Sequence, residues 1–192
     1  MLGRLLKIPI PFHDADELSD YGMAGYLAIQ PAKDEIGYIG ALFLINARGE
    51  PIEFTYNRIS TPHTFLWRQA DIRRQAVKKL TASLLSLCPQ IPRLMLCRAE
   101  EVGSELFCQD IQLSIPVCRI APALRAFPCL PIEIQERIEA GEPLNLFWYP
   151  GKPPEDSSGV KLLHELVRRG LLTEPFGRTL MGLRELYPEG GK

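Results

Sequence analysis

Hydrophobic and polar positions along this chain change period several times, and each change predicts an element. Residues 25–30 read as a short apolar strand closed by Pro31, and the charged stretch 33–35 as a turn. Within Gly37–Asn46 the positions Ile39, Ala41, Leu42, Phe43, Leu44 and Ile45 are apolar without alternation. A strand apolar on both faces belongs inside a sheet covered on both sides. Asn46 and Gly49 then supply turn chemistry, with Gly at the position that favours positive φ. Over 51–56, Ile52, Phe54 and Tyr56 alternate with Glu53, Thr55 and Asn57, which predicts one face on the core and Glu53 toward solvent.

From residue 61 the period becomes helical. Ser60 or Thr61 can cap and Pro62 fits an early helical position. Phe65, Ile72, Ala76, Leu80, Leu84 and Leu87 follow at helical spacing before Pro89 stops the run, so the pattern predicts one long amphipathic helix over 61–87 lying across the sheet. Beyond it, residues 94–97 read as a strand, with further short strands at 106–113 and 115–120. Ile132, Ile134 and Ile138 among glutamates predict a short helix over 131–140 closed by Gly141, and 144–149 a last strand. The Pro, Gly and acid-rich stretch 150–158 reads as an exposed linker. After it come two helices, the first capped by Asp156 or Ser157 and ending at Gly170, the second opened by Pro175. The expected fold class is α+β: a mixed, largely antiparallel sheet with a strand-strand-strand-helix-strand start, a covering helix, and a C-terminal helical hairpin. The expected organisation is a main domain over 1–150 and a linker with hairpin over 151–192.

Composition narrows the function classes. The 192 residues carry 22 Lys and Arg against 23 Asp and Glu, a formal charge of −1, with 46% apolar residues and a mean hydropathy of −0.03. No global charge draws such a chain to nucleic acid or an anionic membrane, and any electrostatic partner is met by local patches. No run approaches the roughly 20 apolar residues of a membrane span. A cytoplasmic protein with no membrane partner is expected. The cysteines at 88, 97, 108, 118 and 129 lack the two-residue spacing of zinc or redox motifs and read as small hydrophobes. Asp14, Asp16, Glu17 and Asp20 lack the spacing of a calcium loop. With no phosphate-binding Gly motif, nucleophile elbow or metal-ligand cluster, no cofactor, metal or catalytic residue is predicted, and an enzyme is the less favoured expectation.

The opening element order is similar to nuclease folds built on a ribonuclease H-like sheet. Hydrolysis in such folds needs carboxylates converging on divalent metals. Here Gly37–Asn46 has no acid, which leaves Glu53 alone, so if such a fold is present its metal site is expected to be missing. Two functions follow. The first is a non-catalytic interaction or assembly subunit, binding a protein partner or a second copy of the chain through the aromatic cluster Phe147, Trp148 and Tyr149 and the C-terminal helices. The alternative is nucleic-acid binding or processing through the basic face of helix 61–87. There Arg68, Arg73, Arg74, Lys78 and Lys79 stand against Asp71 alone, a surplus of four positive charges, and Trp67 would stack on an unpaired base. A dispersed small-molecule site would draw on Glu53, Tyr56 and His63.

Overall fold

Burial on both faces is what Gly37–Asn46 was expected to need, and a computed structural model, which describes residues 4–7, 21–32, 37–62 and 64–188, gives it that. In chain order the elements are β1 (Arg4–Lys7), β2 (Met23–Pro31), β3 (Gly37–Asn46), β4 (Pro51–Ser60), α1 (Gln69–Leu87), β5 (Leu94–Arg98), β6 (Val117–Pro122), β7 (Ile134–Ala140), β8 (Glu142–Tyr149), α2 (Ser158–Arg168) and α3 (Glu174–Leu186). The strands form one sheet in the order β1-β4-β3-β2-β5-β6-β8-β7. Pairing is antiparallel except where β5 joins β2 and β6 joins β5 in parallel. The start β2, β3, β4, α1, β5 is the predicted one, and the helix carries the chain back to the free edge of β2, as a parallel connection requires.

Two cores sandwich this sheet. On one face, Leu27, Ile29, Leu42, Leu44, Met95 and Cys97 pack against Ala76, Val77, Leu80 and Leu84 of α1. On the other, Tyr26, Phe43, Phe54, Leu96 and Trp148 pack against α2 and α3 through Leu163, Leu166, Phe176 and Leu183. The C-terminal hairpin is thus docked on the sheet of its own chain. Tyr26 Oη donates to the Leu171 carbonyl at 2.7 Å, and Ser157 caps α2 by accepting from Val160 N. The turn after β3 is also as read. The Asn46 carboxamide oxygen accepts from Arg48 N and Glu50 N, and Gly49 sits at φ +83°.

Four expectations are corrected. Residues 131–140 do not form a helix; 134–140 is strand β7, paired with β8 across Gly141 at φ +83°. Ile134 and Ile138 satisfy a period of two as well as of four, and an open sheet edge decided between them. Residues 106–113 hold no strand; 106–110 make one wide helical turn with Leu106 and Phe107 both buried. β4 runs on to Ser60, paired with Gly37, so the helix begins at Gln69 rather than near Thr61. Finally, Glu53 is only 1% exposed, because the polar face of β4 lies beneath α1, not in solvent. There Glu53 meets Cys88 Sγ, and Asn57 Nδ2 donates to Ser83 Oγ of α1.

Candidate nucleic-acid interface

Pro62 cannot donate to a ladder, and after it the chain leaves the sheet for a short turn, Thr64–Leu66, before α1. Three consecutive large apolar side chains cannot share one buried face, and here none is buried: Phe65, Leu66 and Trp67 are 84%, 79% and 60% exposed. Arg68 ends the turn in extended conformation at the N-cap of α1 and makes no side-chain cap. Its guanidinium instead forks onto Asp71 at 2.7 and 3.1 Å, in the first helical turn where a carboxylate also suits the helix dipole. Phe65, expected on the core stripe, is therefore a surface residue.

The basic face of α1 divides in two. Arg73 Nη2 donates to the Glu100 carbonyl at 2.6 Å. Arg74 clamps Asp110 with Nε to Oδ2 at 2.9 Å and Nη2 to Oδ1 at 3.0 Å, and Lys78 adds a longer contact at 3.8 Å. The Arg74 hydrogen bond holds the Asp110 carboxyl below the usual carboxylate range. These three cations secure the segment after β5 to the helix. Lys79 differs. It is exposed on the other flank of α1, and makes no hydrogen bond or ion pair among the described residues.

Each flank has its own cleft. The larger, of about 390 Å³, lies between α1 and the segment after β5. Its charges are largely spent on one another: Arg74 on Asp110, Arg125 on Glu100 at 3.1 Å, Arg98 on Glu101 at 3.3 Å. The Glu101 carboxylate also accepts from Ile29 N at 3.0 Å, and burial pushes its pKa up. No group of three or more His, Cys, Asp or Glu among the described residues could hold a metal ion. The smaller cleft, of about 240 Å³, opens between the end of β4 and the first turns of α1. Ile59, Pro62, Ile72 and Ala76 line it as an apolar floor, and Trp67 is one of its walls. Asp71, Gln75 and Lys79, four residues apart on one helical face, supply its polar side.

Other candidates are not brought into a site. Phe147 and Trp148 are 1% and 0% exposed and Tyr149 is half-buried, since β8 lies between β6 and β7 in the sheet. Arg119 stacks over Phe147 and forms a buried pair with Glu133 at 2.8 Å; Trp148 Nε1 donates to Glu136. Glu53 and Tyr56 point to opposite faces of the sheet, Tyr56 against Tyr187. His63, like His13 and the acids at 14–20, lies outside the described residues. All five cysteines are free; burial pushes Cys97 up to about 12 and Cys118 well above its ordinary value, so these two thiols stay protonated.

No protein-family model and no curated protein matches this chain. Its fold is similar to two solved structures. One is endonuclease V from Bacillus subtilis, with a TM-score of 0.48 and 16% identity over 86% of this chain and 81% of that one. The other is endonuclease V from Streptomyces avermitilis, with a TM-score of 0.49 and 14% identity over 86% of this chain and 82% of that one. The expectation of a non-catalytic assembly subunit is corrected: the similar structures bear a nuclease's name, and the correction itself rests on this chain's own surfaces. Folding consumes the surfaces that expectation relied on: the aromatic strand is interior and the C-terminal helices cover their own sheet. At such identities and TM-scores the likeness carries no activity and no residue role to this chain.

Proposed function

We propose that this protein binds nucleic acid through the exposed turn at 65–68 and the adjoining flank of α1. The observation that carries the reading is the solvent-exposed run Phe65, Leu66 and Trp67, flanked by Arg68 and by the ammonium of Lys79, which is unpaired among the described residues. Exposed aromatics beside cations suit single strands, whose bases offer π-faces for stacking while the phosphates take up the positive charge. Of the six residues expected to contact nucleic acid, the proposal keeps Trp67, Arg68 and Lys79. Arg73, Arg74 and Lys78 are assigned to holding the segment after β5, because their partners lie there; Arg68 pairs among the described residues only with Asp71, beside the turn itself, and is 84% exposed at its side chain.

The test is fluorescence anisotropy with a labelled single-stranded oligonucleotide. Trp67→Ala should weaken binding about 10-fold, the loss of one stacked base. Binding unchanged by this substitution, in a protein of native circular dichroism, would remove the turn from the interface.

A further inference from the structure

We infer that β7 is a self-association edge, through which two copies of this chain pair antiparallel and join their sheets about a two-fold axis. β7 closes the sheet order at one end, and among the described residues it pairs with β8 alone. The backbone N–H and C=O groups that it turns away from β8 are therefore open to another strand. No proline lies within 134–140, and the register with β8 runs unbroken from Ile134 to Ala140, so neither a missing donor nor a bulge interrupts this edge. The contact is independent of the nucleic-acid reading, since β4 and the turn after it lie toward the other end of the sheet order.

The side chains select a second copy as the occupant. Arg137 and Glu139 share one face of β7, 62% and 73% exposed, and approach each other only to 3.8 Å, beyond hydrogen-bond distance. Residues opposed across an antiparallel pair also share a face, so a two-fold axis normal to the sheet must pass through one residue of β7. An axis at Glu136 sets that carboxylate against itself, and it already accepts from Trp148 Nε1 and Lys152 Nζ. An axis at Arg137 sets two guanidinium groups together. An axis at Ile138 opposes Ile138 to its own copy and places Arg137 of each chain opposite Glu139 of the other, so that the two ion pairs form by symmetry. The edge is thus complementary to itself in that register. The opposite edge of the sheet is not, because β1 is four residues long, with cations at both ends and no carboxylate. The overlap covers only 136–140 on each copy, which makes the dimer weak and reversible.

Sedimentation of the full chain over a concentration series up to about 1 mM reads the contact. The parent should form a dimer and nothing larger, and amide exchange over 136–140 should slow as the dimer fills. Arg137→Glu and Glu139→Arg each turn both attractive pairs into repulsive ones, and each should weaken self-association at least about 10-fold. Both positions are exposed, so the circular dichroism of each variant should match that of the parent. Mixed in equal amounts, the two variants should form a dimer about as tight as the parent's, because every cross-strand pair in the mixture again joins opposite charges. A parent that stays monomeric across the series overturns the proposal, as does one that grows past the dimer by head-to-tail pairing. Single variants that dimerise like the parent, or a mixture that stays monomeric, overturn it equally.

Discussion

Arg74 and Lys79 sit on the same helix with the same formal charge, yet only one of them has charge to offer a ligand. Arg74 spends its fork on Asp110, while Lys79 is exposed and unpaired among the described residues. Lys79→Glu should therefore weaken single-strand binding and flatten its dependence on salt, lowering the slope of log K against log salt by at least about 0.7, the share of one phosphate charge on a single strand. Arg74→Ala should change that slope little and instead raise amide exchange over 100–110, which hydrogen-exchange mass spectrometry reads directly. A sequence shows both residues as members of one basic face; which are neutralised depends on Asp110, thirty-six positions away from Arg74, and no helical period contains it. A second residue-scale consequence concerns acid. Glu165 bonds Arg168 and Arg169, and those hydrogen bonds lower its pKa from 4.5 to about 2. A depressed carboxyl stabilises the fold above its unfolded pKa and loses that contribution as pH falls through the folded one. Glu165→Gln should lower the thermal midpoint at neutral pH, and the difference from the parent should shrink between pH 4.5 and about 2. A difference that stays constant over that range would show that the carboxylate is not the source.

At the scale of elements, α1 shows both what pattern reveals and where it stops. The stripe Ile72, Ala76, Leu80 and Leu84 was legible and is buried as read. The start of the helix was not, because Ser60, Thr61 and Pro62 look like a cap while Ser60 still pairs with Gly37 in β4. The consecutive apolar residues Phe65, Leu66 and Trp67 were the available signal that the helical stripe had not yet begun. Glu53 was misplaced for a related reason. Alternation separates the two faces of a strand, but it does not say whether the polar face meets water or a polar seam on a helix, here near Ser83 and Cys88. The approach of α1 to the sheet depends on Gly40, where a Cβ would lie 2.9 Å from Leu80 Cδ2 and 3.0 Å from the Ala28 carbonyl oxygen. Gly40→Val should cost about 1–3 kcal/mol by overpacking, measured by urea unfolding, and should loosen the helix that carries both clefts. An unchanged midpoint would mean that the helix has room to move.

For the whole molecule, two faces of one sheet are each covered by helices, so the surface left for a ligand is concentrated where connections leave the sheet. That explains why the fold was legible in outline while the proposed interface was not: apolar periodicity reports what is buried, and the turn proposed as the interface is an interruption of that periodicity. No helix among the described residues is long and apolar enough to cross a membrane. With a formal charge of −1 overall, binding to a polyanion must come from a local patch and should be sharply sensitive to salt. The chain's two tryptophans report on the proposed interface selectively, since Trp67 is exposed within it and Trp148 is fully buried beneath α2 and α3. The decisive experiment is tryptophan emission during titration with an unlabelled single-stranded oligonucleotide at low and high salt, for the parent and for Trp67→Phe. Emission of the parent should be quenched, the quenching should weaken as salt rises, and it should disappear in Trp67→Phe. Emission that does not change as the strand is added, or quenching that persists without Trp67, would rule out binding at this turn.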